Sequence, residues 1–497
     1  MPARPWIALV YTSHAAAAAS AANRFGLGAR PGDLSSMDDP VDWLLSQARR
    51  APAGSDAFDG LPSSLDYLQR EAELQRQRRT LRREAARALE PGGPHDKPDK
   101  PLARLFVMAF GEDLRREATA RWRVATSTDT PFSERLVRFW SNHFAVSVDK
   151  GPVRLYAAPM EREAIRPHVN GRFLDLLLAV ETHPAMLRYL DQTQSVGPDS
   201  MLAERTDARL EGGTIGGRPA RKLGLNENLG REIMELHTLG ADAGYTQADV
   251  TEFSRALTGW SMPTAMQRTR GIGAGSTFVF RDAAHEPGTR TVLERHYPDT
   301  GVDQARAILA DLALHPATAR HLSTQLARHF VADEPPPALI ERMARAYLDS
   351  GGRLPTLYSV LIHSPESWVV GARKFRTPQD LVIAGLRAGT IMIGAKPQPW
   401  EGLLQRLGQP TFMPRSPSGY TDVAGDWIAP DALWKRVQVA EAMAERVPRE
   451  HLDPQALALA ALGPCLHRDT RVAMTHAEAP QQALAILFAS PDFQWRV

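Results

Sequence analysis

A single cysteine, Cys465, occurs in 497 residues. That excludes an intramolecular disulfide and any cysteine-built metal cluster. Between Pro464 and Leu466, Cys465 reads as a small packed hydrophobe. No apolar run approaches the roughly 20 residues needed to cross a bilayer, so no transmembrane segment is expected. Charge of one sign is also missing: 59 Lys and Arg balance 57 Asp and Glu, leaving a formal +2. Such a balance gives no global attraction to phosphate backbones, and no nucleic-acid partner is expected. The densest basic stretch, Arg76 to Arg83, lies among Glu71, Glu73, Glu84 and Glu90 and reads as a solvated helix face. The sequence has no Gly-x-x-x-x-Gly-Lys phosphate loop, His-Glu-x-x-His zinc helix or Gly-x-Ser-x-Gly elbow. Gly212–Gly217 is glycine-rich but lacks the preceding strand that a dinucleotide fingerprint requires.

What is present is mostly helix. Hydrophobic residues make up 43% of the chain, enough for a large core. An alanine-rich helix is expected from Ala15 to Phe25, ended by Gly26-Leu27-Gly28. Helical periodicity then recurs from Pro40 to Leu89, from Leu102 to Phe144 with a break at Thr130-Pro131, and through most of 158–490. The β-like runs Ser276–Phe280 and Arg290–Leu293 flank Asp282–Gly288 and predict a hairpin. The expected fold is therefore mainly α: one large helical domain over 15–495 with a small β-hairpin insertion near 276–296. Residues 91–101 read as a flexible Pro/Gly linker, 197–222 as a long exposed loop, and 1–14 as an N-terminal extension. His183-Pro184, His315-Pro316 and His363-Ser364-Pro365 each precede a helix and read as capping corners rather than a fixed-period repeat. The apolar stretch Trp6–Val10 is short for a signal peptide, so a cytoplasmic location is expected, with export as the alternative.

Several segments together carry a resemblance. They are Ala22-Asn23-Arg24-Phe25-Gly26-Leu27-Gly28, Phe139-Trp140-Ser141-Asn142-His143-Phe144, Glu181-Thr182-His183-Pro184 and Asn226-Glu227-Asn228-Leu229-Gly230-Arg231-Glu232-Ile233-Met234-Glu235-Leu236-His237. Leu257-Thr258-Gly259-Trp260 and Ser490-Pro491-Asp492-Phe493 follow in order. The chain resembles the bacterial family catalogued as domain of unknown function 1800. The resemblance implies one mostly helical domain and no particular reaction. It also implies a possible protein partner, since members are often encoded beside domain of unknown function 1501, a family resembling alkaline-phosphatase-like sulfatases. Many members carry export signals. Where the family tends to have His-Asp followed by Gly and Lys, this chain reads His285-Glu286-Pro287-Gly288 and Arg290.

The Asn226–His237 segment is the first place to look for chemistry. At 100° per residue, Leu225, Leu229, Ile233 and Leu236 share an apolar face, with Asn228, Arg231, Glu232 and Glu235 opposite. His237 then projects to the flank, so the motif supplies at most half of a site. A histidine from elsewhere, His143 or His285, would complete it. The candidate catalytic residues are Asn228, Arg231, Glu232, Glu235, His143 and His285. One version has Glu232, Glu235 and His143 bind a divalent metal; another uses the two carboxylates for acid–base work. The competing reading is an Arg231–Glu ion network with no catalytic role. Asn142, Arg135 and Arg138 form a separate polar face suited to an anion. His315, His321 and His329 are read as surface or core residues. An enzyme with a polar pocket around the motif and a non-catalytic assembly protein both remain open.

Overall fold

The computed structural model describes residues 13–496 apart from 51, 53–54, 89–98, 212–222, 265–266, 269–272, 274, 370–373 and 395–398. Among the described residues helices dominate, and the strands form only two-stranded pairs. Buried apolar side chains gather into two large cores. The first runs from Ala17 through the middle of the chain to Trp368. The second joins Leu27, Trp122 and Ala125 to the C-terminal helices between Leu381 and Phe493. No helix among the described residues is long and apolar enough to cross a membrane.

The helix Pro131–His143 starts with proline, whose missing N–H costs nothing at the first turn. It is buried on nearly every face from Phe132 to Trp140, which is why it can sit at the centre of the first core. Helix Pro316–Phe330 begins similarly, with His315 Nδ1 accepting the Ala317 N–H at 3.1 Å. His183 Nδ1 does the same for Ala185, at 3.2 Å. The capping role expected for these two histidine corners is what the structure contains.

The two helices echo one another. Each ends in a His-Phe step, His143-Phe144 and His329-Phe330. Downstream, Gly171-Arg172-Phe173 and Gly352-Arg353-Leu354 pair reciprocally. Phe173 N–H donates to the Gly352 carbonyl at 2.9 Å, and Leu354 N–H to the Gly171 carbonyl at 3.0 Å. The arrangement brings His143 and His329 against one ring, that of Phe139, at centroid separations of 6.3 and 5.2 Å.

Two local expectations change. The runs 276–280 and 290–293 do not pair with each other. Val279–Phe280 pairs with Trp260–Ser261, and Arg290–Val292 forms a tight hairpin with Arg295–Tyr297. The hairpin turn places both Leu293 and Glu294 at positive φ, 49° and 62°, the conformation that matches strand twist. Within 197–222, Met201–Glu211 is helix. Its residues Met, Leu, Ala, Glu and Arg are strong helix formers, and Ser200 Oγ accepts the Ala203 N–H at 3.3 Å. Most of the 91–101 linker and of the 1–14 extension lies outside the described residues.

Candidate functional site

A cleft of about 380 Å³ opens where the two cores meet. Its walls come from helix Pro131–His143, from helix Pro316–Phe330, from Thr377 to Asp380, and from the segment 409–423.

One wall rests on the end of the Asn226–His237 motif. That segment is α-helical only over Asn228–Glu232, and Ile233–His237 forms a wider π-turn. The change of pitch carries His237 off the flank and into the core. Its side chain is wholly buried, with Nδ1 2.8 Å from Oε1 of the equally buried Glu181. The last carbonyls of a helix have no partner within the helix, and here two histidines supply it. His321 Nε2 lies 3.0 Å from the Leu236 carbonyl and His143 Nε2 3.2 Å from the His237 carbonyl. Each ring must donate, so Nε2 carries the proton and Nδ1 is left as an acceptor. Burial holds the His143 pKa well below its ordinary value, and His237 and His321 nearby push it further down. Burial also lowers that of His321. Both rings are neutral at pH 7.

The opposite wall is ionic. His329 Nδ1 lies 2.5 Å from Asp422 Oδ2, while Nε2 sits 3.5 Å from an Arg135 nitrogen. Burial lowers the His329 pKa, against the pull of Asp422. Arg135 donates through Nε to the Gly26 carbonyl at 2.6 Å and through Nη1 to both Asp380 oxygens at 3.1 Å. The N-terminal Asn-Arg-Phe-Gly segment thus orients a cleft arginine through its backbone. Burial would raise the Asp380 pKa, but Arg135 and Arg496 hold it far below the usual carboxylate range. The segment 409–423 is fixed as a wall. Asn142 pairs with the Tyr420 backbone in both directions, each at 2.8 Å, and Val148 N–H donates to the Phe412 carbonyl at 2.8 Å.

Of the six candidate catalytic residues, His143 lines this cleft and the other five do not; Asn142, Arg135 and Arg138, read from sequence as a separate polar face, line it as well. Asn228 is exposed, its N–H bound by Asn226 Oδ1 at 2.9 Å. Arg231 pairs with Glu227 at 3.1 Å and donates to Gln247 at 2.8 Å. Its ion partner is therefore Glu227 rather than Glu232 or Glu235. Glu232 and Glu235 are half-buried outside the cleft wall. Burial raises the Glu232 pKa and Glu235 adds to the rise. His285 is buried against Phe280, with Nδ1 3.0 Å from the Thr258 carbonyl and Nε2 3.5 Å from Asp299. It pins a loop to the Thr258-Gly259 corner. Among the described residues no group of three or more His, Cys, Asp or Glu side chains is arranged to hold a metal ion. Glu232, Glu235 and His143 are not brought together as a ligand set.

The cleft adds His321, His329, Asp380 and Asp422. The repeated His-Phe step and the eight-residue spacing of His321 and His329 were the sequence signals for the first two. Asp380 sits in an ordinary helix start and Asp422 in a loop, and nothing local marks either.

No curated protein and no solved structure matches the chain. A family model described as Protein of unknown function (DUF1800) matches residues 20–495, nearly the whole length, and the chain belongs to that family.

Proposed function

We propose that the cleft is an active site in which His329, held by Asp422, transfers a proton to or from a small polar ligand. The observation that carries this reading is the 2.5 Å contact between His329 Nδ1 and Asp422 Oδ2 in a wall of the cleft. A carboxylate on Nδ1 fixes the proton there and leaves Nε2 as the basic atom, the arrangement general bases use. Arg135 beside Nε2 disfavours a second proton on the ring. His143, neutral and backed by a carbonyl, offers a second acceptor from the neighbouring helix Pro131–His143. The reacting centre thus moves from Glu232 and Glu235 to the far side of the His143 helix, while the motif contributes its carbonyl terminus.

Turnover by wild type, His329→Gln and Asp422→Asn across a panel of small-molecule esters, amides and phosphate esters tests this. The expected result is an activity that falls by roughly 100-fold or more in His329→Gln, with the fold retained by circular dichroism. Equal activity in wild type and His329→Gln, or none in any of the three proteins, would sink the reading.

A second reading is assembly with a protein partner, for which the resemblance suggests a member of domain of unknown function 1501. Support comes from exposed apolar residues at and beyond the end of the cleft segment: Val423, Ile428, Leu433 and Trp434, the last 62% exposed. Co-expression and size-exclusion chromatography with Trp434→Glu as control distinguish it. Separate elution of the two proteins at high concentration argues against it.

A further inference from the structure

Buried cations around the cleft outnumber buried carboxylates. On one side Arg121 binds both oxygens of Glu161, at 2.9 and 3.0 Å. Arg166 forks onto Glu134 at 2.7 and 3.2 Å. The third guanidinium, Arg138, comes no closer to Glu134 than 3.6 Å. Its Nη2 donates to the Arg121 carbonyl at 3.3 Å, but Nε and Nη1 are buried without an acceptor. On the other side Arg135 and Arg496 stand against Asp380 and Asp422, Arg376 donates to the Phe493 carbonyl and the Asn23 side chain, and the buried Lys374 pairs with Asp333. Arg135 Nη2 has no acceptor there, and the Arg496 guanidinium stands 3.8 and 3.5 Å from the two carboxylates. Each group thus holds one cation more than its carboxylates, three against two on the first side and four against three on the second.

A buried guanidinium without a counter-ion carries a heavy desolvation penalty. The two cleft-lining arginines whose buried N–H groups lack an acceptor, Arg135 and Arg138, are three residues apart on one helix, so they are neighbours on its surface. Both are nine-tenths or more buried. Arginine forks match oxyanions in geometry as well as in charge. His143 and His321 are tied to backbone carbonyls through Nε2 and add no positive charge.

We infer that the cleft binds the dianionic oxyanion group of a small molecule, a phosphate or sulfate, between Arg135 and Arg138. An excess of two positive charges suits a dianion better than a carboxylate. This subsite goes beyond the proton-transfer reading, because it rests on the guanidinium groups and not on the His329–Asp422 pair.

Isothermal titration of the full chain with inorganic phosphate, sulfate and acetate at low and high salt tests the subsite. Arg138→Gln, Arg138→Lys and Arg320→Gln, an exposed arginine outside the cleft lining, are titrated alongside, each checked for fold by circular dichroism. Phosphate or sulfate is expected to bind better than acetate, and whichever binds tighter names the group. Arg138→Gln is expected to weaken that binding by roughly tenfold or more, with Arg138→Lys between it and wild type and Arg320→Gln unchanged. If Arg138→Gln fails to fold, Arg138→Lys alone must still weaken binding. Acetate binding as tightly as the dianions, an adventitious affinity equally lost in Arg320→Gln, or full affinity in the Arg138 variants overturns the inference. Phosphate bound by a protein without turnover removes only the proton-transfer reading. Turnover without dianion affinity removes only the subsite.

Discussion

Glu181 Oε1 and His237 Nδ1 meet 2.8 Å apart, and neither side chain reaches solvent. The pair joins the end of the Phe173–Glu181 helix to the π-turn that closes the family motif. The two atoms are close without being aligned as a hydrogen bond, and removing Glu181 leaves His237 buried with neither this neighbour nor water. Glu181→Ala should cost about 3–5 kcal/mol of unfolding free energy in urea. Glu181→Gln, which keeps an acceptor, should cost clearly less. Equal, small losses in both would show that the contact contributes little.

Acid should destabilise the protein earlier than its carboxylates alone would dictate. The His143, His321 and His329 pKa values are lowered in the folded state. The unfolded chain therefore takes up protons at these positions first, as pH falls below about 6.5. Stability is full above that point, declines as pH drops from there towards the folded values, and levels off below them. Urea midpoints measured from pH 7.5 to 5 should fall, and His143→Gln should flatten the slope. A midpoint constant over that range would contradict the burial of these rings.

The wall segment depends on one glycine. Gly419 has φ +76°, and a Cβ there would lie 2.4 Å from the Asn142 carbonyl oxygen. Gly419→Ala should cost about 1–3 kcal/mol through backbone strain and displacement of the Asn142–Tyr420 pairing. Hydrogen exchange of the Tyr420 amide should accelerate in this variant and in Asn142→Ala. An unchanged Tyr420 rate in Asn142→Ala would refute the anchoring role.

Arg387 joins the second core to the N-terminal motif. It donates to the carbonyls of Gly28 at 2.8 Å, Ala125 at 3.3 Å, Thr126 at 3.2 Å and Thr128 at 3.2 Å. Its side chain is buried, and burial lowers its pKa to about 10, still charged at neutral pH. Arg387→Met strips several buried acceptors at once and should cost roughly 3 kcal/mol or more. Arg387→Lys restores one charge but not the fork, and should recover only part. Full recovery with lysine would show that charge alone matters.

Helical periodicity and proline punctuation determined the class of this protein, because both depend on residues near one another in the chain. The buried positions of Phe132, Leu136 and Trp140 follow from the same local rule. Even the shared polar face of Arg135, Arg138 and Asn142 was legible, since three- and four-residue spacings alone define it, and all three line the cleft. The pairing of strands was not. Val279–Phe280 bonds to Trp260–Ser261, a partner set by the fold of the intervening chain. The motif helix misled for a sharper reason: one wide turn over Ile233–His237 rotates His237 from the flank into the core, and an ideal helix contains no sign of it. The cleft itself was decided only in three dimensions. Arg135 meets Asp380, and His329 meets Asp422, across separations of 245 and 93 residues. What selects such partners is the mutual compensation of charges once water is excluded, and that condition exists only after the two cores have closed on each other.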